Sequence, residues 1–281
     1  VLIRPGLCPF VRIRRADAMW ELMRGTAPVN MKWANRMATT RNAITLASMG
    51  AAWISSLSDP AFGQDARMRL GMSIAESGVW RVGRQTIQEL ITLGNREDAI
   101  AASLGLDSAM HVMHQSARMT GTIDMRGWSG FLTDRLLTNT LLTPWTQSGK
   151  HVHGLSVMRF FGRVAGTDFY KLPASTQKAL KAHGFDAASW NEIRTAPLHE
   201  GHLRPHEVDK WAGQKLGERY LAMILKETRY AVPESTIEAR SVTSGVPAGT
   251  VLGEMTRSMG QFKGFAISIV FMPMRRLMRE L

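Results

Sequence analysis

Cysteine is nearly absent: Cys8 stands alone in 281 residues. One thiol excludes an internal disulfide framework and any cysteine-built zinc cage. Long apolar runs are also missing. The best stretch, Gly264 to Met274 (GFAISIVFMPM), is about half of the ~18 residues that a membrane span needs. Alternating Val/Ile/Thr runs and Asn-Gly or Asp-Gly hairpin turns are scarce, so little sheet is expected. No Walker A loop or GxGxxG fingerprint occurs, and Gly127-Trp128-Ser129-Gly130 misses the GxSxG elbow by one residue. Fixed-period repeats and low-complexity tracts are lacking. The first residues carry no basic segment followed by an apolar core. Since the chain opens on Val1 rather than Met, it reads as a processed or partial segment of something longer.

What is abundant is methionine and arginine. Met (18) outnumbers Phe and Tyr together (13), and Arg outnumbers Lys by 26 to 9. Methionine fills irregular, adaptable interfaces, and arginine makes bidentate contacts to phosphates and carboxylates. A hydrophobic content of 44% excludes wholesale disorder. The formal charge of +12 is unevenly spread: residues 1–50 carry +6, residues 51–150 none, and residues 151–240 and 241–281 +3 each. A basic excess points to nucleic acid, an anionic membrane or an acidic partner. Here it describes a neutral body with basic extremities rather than one DNA-reading face. Arg12, Arg14, Arg15, Arg275, Arg276 and Arg279 are the candidate phosphate contacts.

Helical periodicity dominates. The expected fold is all-α, an irregular multi-helix bundle with several long amphipathic helices and little or no sheet. Residues 1–27, with Pro5, Gly6 and Pro9, read as an extended arm plus a short helix near 16–24. Residues 28–143 form an N-terminal helical region, with a long helix over 29–57 and another helical stretch over 66–93. Asp59-Pro60 is a start signal between them. Shorter helices follow near 97–104, 108–119 and 124–142, and Pro144 and Gly149 close that block. Residues 144–281 form a C-terminal helical region. It begins with a helix over 151–165 and a short one from Pro173 to Gly184, the latter a C′ residue. Asp186 caps the next, and Pro205 opens an amphipathic helix to Tyr230. A last helix over 248–272 ends at Pro273, followed by a basic tail.

Chemistry-bearing side chains gather in a few short stretches. His199, His202 and His206, with Glu200 and Glu207, are the candidate metal ligands. Their spacing is not HExxH, which sets two histidines on one helix face, and Pro205 puts them at a loop-to-helix junction. His111/His114 and His151/His153 fit a metal no better. Glu76-Ser77 matches the Glu-Ser pair of lytic transglycosylases, but the Gly-rich GLMQ-like continuation is replaced by Gly78-Val79-Trp80-Arg81. A solvated helix-end glutamate is the expectation, and no catalytic residue or cofactor is assigned. Gly249/Gly253 and Gly260/Gly264, each four apart, suggest faces where another backbone comes close. Opposite them Leu252, Met255, Met259, Phe262, Ala266 and Ile269 form a stripe suited to partner helices.

Two stretches carry a resemblance. Phe160 to Pro197 contains a helix pair with Leu180, Gly184, Trp190, Ile193 and Arg194. Tyr230 to Phe265 contains Ala231-Val232-Pro233, Arg240, Gly249-Thr250, Gly253-Glu254 and Gln261-Phe262-Lys263-x-Phe265. Together they resemble the C-terminal region of large internal virion (DNA-ejection) proteins of short-tailed bacteriophages and related prophage polyvalent proteins. The resemblance covers a little over a third of the chain and brings no catalytic residues with it. It implies a non-enzymatic, homo-oligomeric segment in the virion interior, beside the portal and other internal virion proteins. Packaged DNA would be touched non-specifically, and the host envelope after ejection. The alternatives are a basic helical nucleic-acid-binding module that organises packaged DNA and a fragment of a cell-wall-degrading enzyme.

Overall fold

The computed structural model describes residues 17, 20, 28–47, 59–92, 142–233, 246, 249–260, 274, 276 and 278. They form ten α-helices and no strand, as the periodicity predicts. In chain order these are α1 (Met31–Ala47), α2 (Asp59–Leu70), α3 (Ile74–Ser77), α4 (Val79–Thr92) and α5 (Leu142–Val164). Then follow α6 (Ala174–Ala182), α7 (Ala187–Ile193), α8 (Pro205–Ala212), α9 (Gln214–Ala231) and α10 (Val251–Gly260), with a 3-10 turn at Phe169–Lys171 before α6. Two compact units interleave along the chain. One contains α1 and α10, and the other contains α2 to α9 with Met274, Arg276 and Met278.

In the larger unit α5 runs through the middle, against α2, α4 and α9. Its second half supplies Val157, Met158, Phe160 and Phe161, all at most 4% exposed. Phe161 is the hub: its ring lies 5.4 Å from Phe160, 5.9 Å from Trp190 and 5.9 Å from Tyr220, the first and last edge-on. Edge-on aromatic pairs add roughly 0.5–1.5 kcal/mol to what burial alone gives. Both polar handles of this cluster are satisfied. Trp190 Nε1 donates to the Thr167 carbonyl (3.0 Å) and the Tyr220 hydroxyl to that of Leu203 (3.1 Å). Burial pushes the Tyr220 phenol well above its ordinary 10.0, so it remains a donor.

Local signals explain both ends of α6 and the start of α7. Asp186 caps α7: its carboxylate accepts from Ser189 N–H (2.9 Å), while Ser189 Oγ accepts from Asp186 N–H (2.8 Å). Pro173 precedes α6 and Gly184, at φ +81°, follows it, both as expected.

Four expectations are corrected. The stretch over 66–93 is three helices, broken at Gly71–Ser73 and at Gly78. The helix from Pro205 is two, because Gly213 adopts φ +92° between α8 and α9, a conformation that a side chain resists. Pro144 and Gly149 do not close a block; both lie inside α5. Pro144 falls in the first turn, where the missing N–H has no helical acceptor to lose. The basic tail is helical at Met274, Arg276 and Met278, and Arg276 is buried rather than exposed. Helices expected over 97–104, 108–119 and 124–141, and the residues of the last helix beyond 260, lie outside the described residues.

Candidate functional site

The Gly-Thr-x-x-Gly-Glu motif forms a clasp in the smaller unit. Thr250 begins α10: its hydroxyl accepts from Gly253 N–H (3.1 Å) and its carbonyl from Glu254 N–H (2.9 Å). Glu254, in the first helical turn, reaches back so that Oε1 accepts from Gly249 N–H (2.8 Å). Its other oxygen accepts from Arg41 Nη1 of α1 (2.5 Å). The two side chains are 2% and 1% exposed, Arg41 and Glu254 respectively, so the pair is sealed from solvent. Gly249 sits at φ +81°, and a Cβ there would come within 2.5 Å of Asn30 N. Only glycine gives both that conformation and that approach. Asn30 in turn caps α1, accepting from Trp33 N–H (3.1 Å). Two helix starts therefore meet backbone to backbone, and the acid of the motif is spent on holding them together.

No motif marks Arg41, but the spacing of its helix does. Ala34, Ala38 and Arg41 lie four and three residues apart, and all three are buried. A charge on an apolar helical stripe asks for a buried counter-charge.

The larger unit has a polar interior of its own. Glu227 of α9 takes Arg276 Nη2 on one oxygen (2.7 Å) and faces His183 Nε2 across the other (2.9 Å). The Arg276 guanidinium also lies 4.8 Å from the Tyr230 ring centre. Arg67 of α2 is 1% exposed and donates Nη1 to the Glu76 carbonyl (3.2 Å) and to Gln85 Oε1 (3.0 Å). Burial, aided by Arg81 and opposed by Glu76, brings its pKa down to about 10. His153 of α5 is 2% exposed, and among the described residues neither ring nitrogen has a hydrogen-bond partner. Burial first, then Arg67 and Arg276, hold it well below 6.5, so it is neutral at pH 7.

The other candidates resolve one by one. Glu76 is gripped by Arg163 through both carboxylate oxygens, one of them at 3.0 Å from Nη2. That hydrogen bonding lowers its pKa, against a smaller desolvation effect. A general acid working near neutrality needs the opposite shift.

His199 and His202 pair backbone to backbone across a tight turn at Glu200-Gly201, while His206 is exposed in α8. This turn presses on α5: a Cβ at Gly162 would meet the Gly201 carbonyl oxygen at 2.2 Å, and Leu203 N–H donates to the Met158 carbonyl (3.1 Å). Among the described residues no three His, Cys, Asp or Glu gather as a metal site. Pro233 is buried just after α9. Arg12, Arg14, Arg15, Arg240, Gln261, Phe262, Lys263, Phe265, Arg275 and Arg279 lie outside the described residues, as do His111 and His114.

The chain matches no family model, no curated protein sequence and no solved structure.

Proposed function

We propose that this chain is a structural segment of a phage internal virion protein, held near the portal and helping to build the conduit that delivers DNA through the host envelope. What supports this reading is the resemblance of the residues described above to those of such proteins, Gly249-Thr250-x-x-Gly253-Glu254 above all. Those residues work as architecture: Glu254 is buried with both oxygens engaged, so nothing of its carboxylate is left for chemistry. Helix-on-helix assembly suits a chain that carries exposed methionine and aliphatic side chains on α10, with Val251 65%, Leu252 62% and Met255 54% exposed. In this reading the segment has no enzymatic role of its own and forms homo-oligomers.

The competing picture, a module that organises DNA through its basic ends, loses Arg276, which is committed to Glu227 and Tyr230. Mass spectrometry of purified virions tests the proposal. Peptides of this chain should be present in many copies per particle. Their absence from particles, with the chain found only in infected cells, would refute it.

A further inference from the structure

Helix α4 carries a wider apolar arc than it buries. Val82, Thr86 and Glu89 face inward, 6%, 3% and 5% exposed. Trp80, Arg84, Ile87 and Ile91 follow one another at spacings of four, three and four, which sets them on one stripe. That stripe faces solvent: Trp80 is 87% exposed, Ile91 75% and Ile87 47%, with Arg84 exposed among them. Ile74 and Val79 add apolar surface at 72% and 43%. Arg81, also exposed, donates to the Ala75 carbonyl (3.1 Å). The one carboxylate of α4, Glu89, is buried, and nearby Glu76 is held by Arg163. Among the described residues the open face is thus apolar and cationic, with no anion of its own.

We infer that this face docks on an anionic phospholipid bilayer, with Trp80, Ile87 and Ile91 in the headgroup boundary and Arg81 and Arg84 on lipid phosphates. The chemistry selects this occupant. Tryptophan and arginine join an apolar body to a polar or charged tip, which suits the boundary between water and acyl chains. The net charge of +12 adds attraction to an acidic surface. A second copy fits worse, because Arg84 in mid-stripe would meet another arginine-bearing stripe with no exposed carboxylate on α4 to answer it. The helix lies on the bilayer and does not cross it: its 14 residues span about 21 Å against a core of about 30 Å. Among the described residues no helix is long and apolar enough to cross a membrane. The inference deepens the envelope contact proposed above and rests on that reading for where a bilayer would be met. The affinity itself is read from α4 alone.

Vesicle co-sedimentation of the full chain tests it. The probes are vesicles of phosphatidylcholine and of phosphatidylcholine mixed with phosphatidylglycerol. The chain should bind the mixed vesicles, less tightly as salt rises. The double substitution Trp80→Ser/Ile91→Ser should weaken that binding by about tenfold or more. Arg81→Glu/Arg84→Glu should remove the preference for the anionic lipid. Trp211→Ser, a change at another exposed tryptophan (66%), should leave binding as it was. All these positions are exposed, and unchanged circular dichroism checks that the variants are folded. Three results would each overturn the inference: no binding to either vesicle, undiminished binding by Trp80→Ser/Ile91→Ser, or self-association or capture of an acidic peptide that depends on Trp80 while vesicles are ignored. None of these bears on whether the chain is found in virions, so the two readings fail separately.

Discussion

Removing the charge of Glu254 is the sharpest perturbation of the clasp. In Glu254→Gln one amide oxygen still accepts from Gly249 N–H, so the turn keeps its bond and the loss falls on Arg41. The guanidinium is left in a site where its side chain is 2% exposed, without the carboxylate that compensated its burial. Breaking such a buried pair from one side costs about 3–5 kcal/mol. That is a large part of the roughly 5–15 kcal/mol that stabilises a whole domain. Replacing both partners, as in Arg41→Met/Glu254→Leu, removes the buried charge together with its counter-charge and should cost far less than the two single changes added together. Hydrogen exchange read by mass spectrometry gives the local answer. In Glu254→Gln, protection over α1 and α10 should collapse while α5 in the other unit keeps its own. A Glu254→Gln loss within about 1 kcal/mol of wild type, or additive single and double changes, would refute the clasp.

Other outcomes follow from the larger unit. His153 is neutral when folded and takes a proton near 6.5 when unfolded, so its contribution is intact above that pH. Below it stability should fall by up to about 1.4 kcal/mol per pH unit, until the folded-state pKa is reached. His153→Leu should flatten that slope in urea melts at pH 5 to 7. Gly162→Ala pushes a methyl group into the Gly201 carbonyl, and an overpacking loss of about 1–3 kcal/mol is expected in the same assay. Phe161→Ala opens the aromatic hub and should cost about 3–5 kcal/mol. Glu76→Gln breaks a pair whose side chains are 53% and 29% exposed, Arg163 and Glu76 respectively, so solvent screening limits the loss to about 0–1 kcal/mol. The Glu76–Arg163 contribution is present above pH 4.5 and fades as the carboxylate protonates below it.

How far the fold was legible depended on whether its cause was local. Asp186 before Ser189, Pro173 before α6 and Gly184 after it act within a few residues, and each did what its type predicts. Gly213 could not be read the same way. A glycine in a helical pattern is compatible with continuation at a cost of about 1 kcal/mol, and only tertiary contact decides that the chain turns there. Pro144 misled for the converse reason: proline stops a helix it follows but starts one it precedes. The site was harder still. Nothing local marks Arg41 as the partner of a glutamate 213 positions away. Likewise His151 and His153 look alike in sequence, yet His151 stands 3.9 Å from Glu89, while among the described residues the charges acting on His153 are those of Arg67 and Arg276.

The motif gains a physical meaning from this geometry. Gly249 is fixed by its left-handed backbone and by Asn30 behind it, Thr250 by the α10 cap, and Glu254 by the need to answer both Gly249 and Arg41. Each requirement involves a neighbour in space, so the residues must change together or not at all. A sequence that kept Gly-Thr-x-x-Gly-Glu but lost Arg41 would leave a buried carboxylate without its 2.5 Å partner, held only by Gly249 N–H and by Arg257 at 3.9 Å, which costs more than replacing both members of the pair. Arg41→Leu alone should therefore destabilise α1 and α10 more than the Arg41→Met/Glu254→Leu pair does. Hydrogen exchange over residues 31–47 measures that order, and the reverse order would mean that the motif is held by something other than its charge.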